Sequence, residues 1–219
     1  MELLNVVTAR AVWLFDVNEL NPSGKSFFPD LLEWLKDSYN FDKAPSSFSD
    51  VDKDTKAWKF LRGSFQVRDE IFVDVNLTIY NDGLVADTWS STCHSEAFLA
   101  DALKSASEEF HLAYKPETVR KKNYLSEVNI SSSMNLVVVN PKLEEFAQKI
   151  SRIANHEYEF AGLDFWPRQQ SFPPREIPSF SLERKLKTDR EEHKYYSRAP
   201  MQTNDHLQLL KEIEQAFTP

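Results

Sequence analysis

The chain has 219 residues, 41% of them hydrophobic, with 16 Phe, 5 Trp, 11 Pro, only 4 Gly and a net charge of −8. That length fits one large domain or two small ones, and the aromatic side chains supply bulk for a core. So few glycines exclude a glycine-rich phosphate cradle and low-complexity linkers, and the acidic balance disfavours a general grip on nucleic-acid phosphates.

The charge is unevenly placed. Residues 1–115 hold 11 Lys+Arg against 19 Asp+Glu, whereas residues 116–219 hold 15 of each. The basic run Arg120-Lys121-Lys122 reads as a solvated loop. Met1-Glu2-Leu3-Leu4-Asn5 lacks the basic start and apolar run of a signal peptide, and no stretch approaches the roughly 20 apolar residues of a membrane span. With Cys93 as its one cysteine the chain forms no internal disulfide, so a reducing cytoplasm is the expected compartment.

In chain order, Ala11, Trp13, Phe15 and Val17 alternate with Val12, Leu14, Asp16 and Asn18, predicting a half-buried strand. Asn21-Pro22-Ser23-Gly24 ends it. Ser26 and Pro29 then open a helix with Phe28, Leu31, Leu32, Leu35 and Tyr39 at helical spacing. A polar loop is expected over 42–56, followed by strands near 57–67 and 70–80. Tyr80-Asn81-Asp82-Gly83-Leu84 signals a hairpin, with Gly83 suited to a left-handed position and the return strand over about 84–91. Ser95 is expected to cap a helix that buries Phe98, Leu99, Ala102, Leu103, Ala106 and Phe110.

The same order then recurs. Tyr124 to Ile130 predicts a strand, and Asn140-Pro141 opens a helix with Leu143, Phe146, Ala147, Ile150 and Ile153 inward. Glu157 to Trp166 reads as a strand, Pro167 to Pro178 as a proline-rich crossing, Phe180 to Lys187 as a strand, and 190–197 as a short one. Thr203 is expected to cap a last helix with Leu207, Leu210, Ile213 and Phe217 inward. Matching Trp89-Ser90 and Ser95 to Tyr196-Ser197 and Thr203 suggests an ancient duplication. The expected fold is α+β: one curved antiparallel sheet covered by helices, a single domain over 1–219 made of pseudo-repeats of about 6–115 and 120–219. Its element order resembles the two-repeat folds of the TATA-binding-protein and helix-grip type.

Trp58-Lys-Phe60, Leu77-Thr78, Leu84-Val-Ala-Asp-Thr88 and Tyr124 with Asn129 carry a W-x-F, L-T, L-x-x-x-T, Y-x-x-x-x-N cadence. Over about residues 57–130 it is similar to a sporadically distributed family of uncharacterised bacterial proteins. The resemblance implies a bacterial source and carries over no activity or functional residue.

Several constellations bear on chemistry. Asp50, Asp52 and Asp54 alternate like the start of a calcium loop, but Thr55 stands where the loop needs Gly and Leu61 where it needs Glu, so a solvated acidic loop is expected. Cys93 beside His94 reads as a half-buried structural cysteine, because neighbours in sequence seldom form a nucleophile–base pair. His94, His111, His156, His193 and His206 show no zinc spacing, and His206, matched to Phe98, reads as a residue at a core margin. Glu157 and Glu159 share one strand face opposite to Asp164, which reads as a solvated face.

Phe165, Trp166, Arg168, Phe172 and Arg175 sit together in a proline-stiffened stretch. That composition serves either an interaction surface or a clamp of aromatics onto the protein's own core. The leading expectation is therefore a non-catalytic binding or assembly protein, acting on another protein or on itself as an accessory of a bacterial multi-gene system, for example in defence. No cofactor or metal is expected, nor a membrane or nucleic-acid partner. Two alternatives stand beside it: a carrier of a small apolar ligand, its pocket lined by Trp13, Phe15, Phe65, Trp89 and Tyr124, and an enzyme with dispersed catalytic residues.

Overall fold

The computed structural model of the chain describes residues 1–22, 24, 28–47, 49–134, 136, 141–168, 178–185 and 194–217. The eight strands among these residues are β1 (Glu2–Leu14), β2 (Trp58–Arg68), β3 (Ile71–Tyr80), β4 (Gly83–Thr88), β5 (Lys121–Ser131), β6 (Gly162–Phe165), β7 (Phe180–Arg184) and β8 (Lys194–Ala199). The four helices among the described residues are α1 (Phe28–Ser38), α2 (Thr92–Phe110), α3 (Pro141–Ala154) and α4 (Thr203–Phe217). The strands form one open antiparallel sheet in the order β2-β3-β4-β1-β5-β8-β7-β6, with helices packed on it, which is the α+β class expected. Strand, helix, three strands, helix occurs twice along the chain, and the strand order reads alike from either edge.

The chain divides into two compact units, residues 8–126 and residues 1–7 with 127–219. These bounds differ from the two sequence runs because β1 and β5 are long strands that each contribute to both units.

In the unit 8–126, period-two alternation places Ala9, Ala11 and Trp13 of β1, Val75, Leu77 and Ile79 of β3, and Leu84 and Ala86 of β4 in the interior. Helix α2 lays Phe98, Leu99, Ala102, Leu103 and Ala106 onto that surface. Phe98 is the hub of an aromatic cluster, with Tyr39 at 4.9 Å, Phe65 at 5.6 Å and Phe41 at 6.4 Å between ring centroids. The Tyr39 hydroxyl donates to Asp101 at 2.7 Å, and burial beside that carboxylate holds its pKa well above the ordinary value.

Local chemistry fixes the ends of these elements. Ser91, not Ser95, caps α2: its Oγ accepts from the Cys93 N–H at 3.2 Å, and His111 closes the helix in the left-handed conformation at φ 53°. Ser95 lies buried inside the helix, its Oγ donating to the Ala9 carbonyl at 2.7 Å and lying 2.9 Å from Thr88 Oγ1. The β3–β4 hairpin forms, but Tyr80 pairs with Gly83, so Asn81-Asp82 is its loop. Gly83 is required by β1, because a Cβ there would run into the Trp13 carbonyl. Strand β1 begins earlier than expected and ends at Leu14; Val17 instead enters a 3-10 turn capped by Asp16. The acidic loop is held by Asp50, which accepts from Ser46 and Ser47, and by Asp52, which accepts from Thr55 and pairs with Lys59 at 2.9 Å.

In the other unit, Val128, Ile130, Met134, Phe180, Leu182, Tyr195, Ala199 and Leu210 form the core, with Leu207, Ile213 and Phe217 packed against it. The Tyr195 hydroxyl donates to the Met134 carbonyl at 2.8 Å, and Asn129 Nδ2 donates to Asn5 Oδ1 at 3.0 Å. Strand β6 covers only 162–165, not 157–166; beyond the Gly162–Glu183 pair, β7 adds the Arg184 N–H donating to the Ala161 carbonyl at 2.7 Å. The residues before it are tied to α3 by the Tyr158 N–H donating to Ser151 Oγ at 2.8 Å. Strands β7 and β8 are described as far as Arg184 and from Lys194; the expected extensions over 186–187 and 190–193, like Asn140, lie outside the described residues. No described helix is long and apolar enough to cross a membrane.

Two expectations about helices are corrected. Helix α3 forms, but of its expected inward residues Phe146, Ile150 and Ile153 face solvent, Leu143 is half-buried and Ala147 is buried. His206 is not at a core margin but fully buried. The misplaced cap explains this: counted from Thr92 and Thr203, His206 stands where α2 has buried Ser95, rather than where it has Phe98.

Candidate binding surface

The aromatic pair Phe165-Trp166 sits at the end of β6, the outermost strand on one side of the sheet. Gly162 lets β6 approach β7 closely, since a Cβ there would lie 2.7 Å from the Leu182 carbonyl oxygen. The register pairs Phe165 with Phe180, and their rings meet edge to face at 5.7 Å. Phe180 is buried and in turn meets the His206 ring at 6.1 Å. Phe165 is thus seated on the core by one edge while staying 60% exposed, and Trp166 beyond it is 75% exposed. Pro167 and Arg168 continue the exposed run. Phe172 and Arg175 lie outside the described residues.

Beneath this surface Ser197 and His206 form a buried polar pair whose contact the sequence does not reveal. Ser197 Oγ donates to the Ser181 carbonyl at 2.7 Å and lies 2.9 Å from His206 Nε2. With its hydrogen committed to Ser181, the hydroxyl accepts from His206, so the imidazole carries its proton on Nε2. Burial depresses the His206 pKa from 6.5 to about 4, which keeps the ring neutral. In this arrangement the one proton of the serine is held by the Ser181 carbonyl and is not aimed at His206, so the hydroxyl bridges the two groups.

Of the five aromatics expected around a ligand, Trp13, Phe15 and Phe65 belong to the packed core of the 8–126 unit and Tyr124 packs against it. Trp89 stands half exposed. Lys122 Nζ lies 4.4 Å over the Trp13 ring and bonds Glu96 at 2.6 Å, which raises the Lys122 pKa; Glu96 also accepts from the Tyr124 hydroxyl at 3.0 Å.

Cys93 is exposed, not half-buried, because it occupies the outer side of the first turn of α2. His94 Nδ1 meets Ser90 Oγ at 2.9 Å, a local contact across the helix start. Glu159 pairs with Arg184 at 3.3 Å, while Asp164 and Glu183 are exposed. No group of three metal-ligating side chains occurs among the described residues.

Helix α3 adds a second apolar surface to the same unit, with Phe146 56%, Ile150 47% and Ile153 87% exposed. Helical spacing alone gives the apolar stripe and does not say whether the chain's own core covers it. No protein-family model and no curated protein matches the chain.

Proposed function

We propose that the protein is a non-catalytic binding protein that docks another protein through the Phe165-Trp166-Arg168 surface at the β6 edge. The observation that carries this reading is the pairing of an outer strand with two largely exposed aromatics, one of them anchored on the core. An outer strand offers backbone groups for strand addition, and Trp, Phe and Arg are the side chains enriched where binding energy concentrates. Exposed aromatics held at a strand end lose little conformational freedom when a partner covers them. An accessory role in a bacterial multi-gene system, and an ancient duplication behind the repeated element order, belong to the same reading.

The test is a pull-down with wild type, Trp166→Ala and Phe165→Ser, each with its melting temperature. A partner retained by wild type and lost by both variants, at unchanged melting temperature for Trp166→Ala, supports the reading; a loss of roughly 2 kcal/mol or more marks a hot spot. Partners held equally by all three proteins refute it.

A further inference from the structure

Each unit ties its last strand to the helix that follows through a buried polar contact. In the unit 8–126 the strand hydroxyl is Thr88 of β4, whose Oγ1 lies 2.9 Å from Ser95 Oγ, and Ser95 donates to the Ala9 carbonyl at 2.7 Å. In the other unit it is Ser197 of β8, which donates to the Ser181 carbonyl and meets His206 Nε2 at 2.9 Å. Ser95 and His206 are each the fourth residue of their helix, and Thr88, Ser95, Ser197 and His206 are all 0% exposed. The tie is thus two hydroxyls in one unit and a hydroxyl with an imidazole in the other. Hydroxyls do not titrate in mild acid, whereas an imidazole does.

The surroundings of His206 favour the neutral ring. On its own helix the inward charge is Glu214, about two turns further on, engaged by the Met1 ammonium at 2.5 Å and by Ser132 at 2.6 Å. From β7 it is Arg184, paired with Glu159 at 3.3 Å, and from β8 the inward titratable group is Tyr195, its hydroxyl donated to the Met134 carbonyl. Strand β5 turns Val128 and Ile130 inward, and β6 turns Leu163 and Phe165. Lys194, Tyr196 and Arg198 alternate to the other face of β8, as does Glu127 of β5, which pairs with Arg198. Asp164, Glu183 and Asp205 are exposed. A proton on the ring therefore places a charge inside an apolar core, and burial is what holds its pKa low.

His206 is also the inner end of a row of rings that reaches the surface: it meets Phe180, and Phe180 meets its register partner Phe165. We propose that the Ser197–His206 contact is an acid-released latch, confined to the unit of residues 1–7 with 127–219, that holds α4 on β7 and β8 and so keeps Phe165 seated. The charge of a protonated ring is solvated only when α4 lifts from the strands. Phe180 then loses its backing, and Phe165 the ring it stands on. The latch follows from this geometry alone; its effect on docking rests on the function proposed above.

Amide hydrogen exchange of the full chain at pH 7.5, 6.5, 5.5 and 4.5, corrected for the intrinsic pH dependence of exchange, tests the latch without any partner. Protection of 180–184 and 194–217 should fall by roughly 70-fold between pH 7.5 and 4.5, the ratio set by a pKa of 6.5 when open and about 4 when closed. Protection of 71–110 should not follow it. His206→Gln keeps an N–H for Ser197 and takes up no proton, so it should hold its protection throughout. In wild type, imidazole ¹⁵N resonances should show the Nε2–H tautomer and no protonation down to about pH 5, a readout that needs no variant. Equal loss in both units, no loss in 180–184 and 194–217, a glutamine variant with the wild-type slope, or a ring that titrates near 6.5 each overturns the latch. In the pull-down, a partner captured at pH 7.5 should leave wild type at pH 4.5 and stay on His206→Gln. A partner that stays on wild type at pH 4.5 overturns the link between latch and surface. Absence of any captured partner refutes the docking reading, and the exchange result decides the latch.

Discussion

Lowering the pH should unfold this protein through His206 before its carboxylates titrate. The ring is fully buried, with Phe180 against it and Nε2 donating to Ser197. Its pKa is about 4 in the folded state against an ordinary 6.5. The unfolded chain therefore takes up a proton below 6.5 that the folded chain refuses until about 4. Stability is intact above pH 6.5 and falls as pH drops through that window, at about 1.4 kcal/mol per unit, for a total of about 3 kcal/mol. The depressed carboxylates Asp50, Asp52 and Glu214 also cost stability in acid, but only below their ordinary values of 3.8 to 4.5. The interval from 6.5 to 4.5 therefore reports the histidine. Urea titrations of wild type and His206→Gln, followed by tryptophan fluorescence at pH 7.5, 6.5, 5.5 and 4.5, measure it. The glutamine keeps an N–H for Ser197, so the variant, whatever its starting stability, should show a flat profile down to about pH 5. A wild-type midpoint that does not move between pH 7 and 5, or a variant with the same slope, refutes the reasoning.

Two further substitutions probe the 8–126 unit. Gly83→Ala pushes a methyl group into the Trp13 carbonyl, so a loss of about 2–3 kcal/mol is expected in urea denaturation. Phe98→Ala empties the hub of the aromatic cluster and should cost about 3–5 kcal/mol, read from the same titration. A loss below about 1 kcal/mol for either would mean that the packing around it is loose.

Where a local pattern was complete in itself, the sequence carried the fold. The alternation in β3 and the face of α2 each repeat over enough residues to fix element and orientation, while Asn81-Asp82-Gly83 marked the hairpin but not its two-residue loop. The errors came where two local signals competed. Ser91 and Ser95 both suit a helix start, and what separates them is the bond from Ser95 to Ala9, 86 residues away. That one misplaced cap shifted the match between the two helices, and so put His206 opposite Phe98 and at the margin of the core. The aromatics Trp13, Phe15 and Phe65 point inward. Alternation cannot distinguish inward onto packed rings from inward onto a ligand, and the partners Tyr39, Phe41 and Phe98 come from distant segments. Composition pointed to Phe165 and Trp166, but their exposure follows from β7 offering a partner, Phe180, to only the first of them.

The division of the chain into units has a consequence for the order of events during synthesis. Residues 8–126 are continuous, so that unit has all its strands and its core as soon as they leave the ribosome. The other unit is split: residues 1–7 belong with 127–219, and the Asn5–Asn129 bond closes a loop of 124 residues. Loop closure over that span is slow relative to local contacts, and domains tend to fold as they emerge. Residues 1–7 are therefore among the last to find their places, although the segment that follows them is already built.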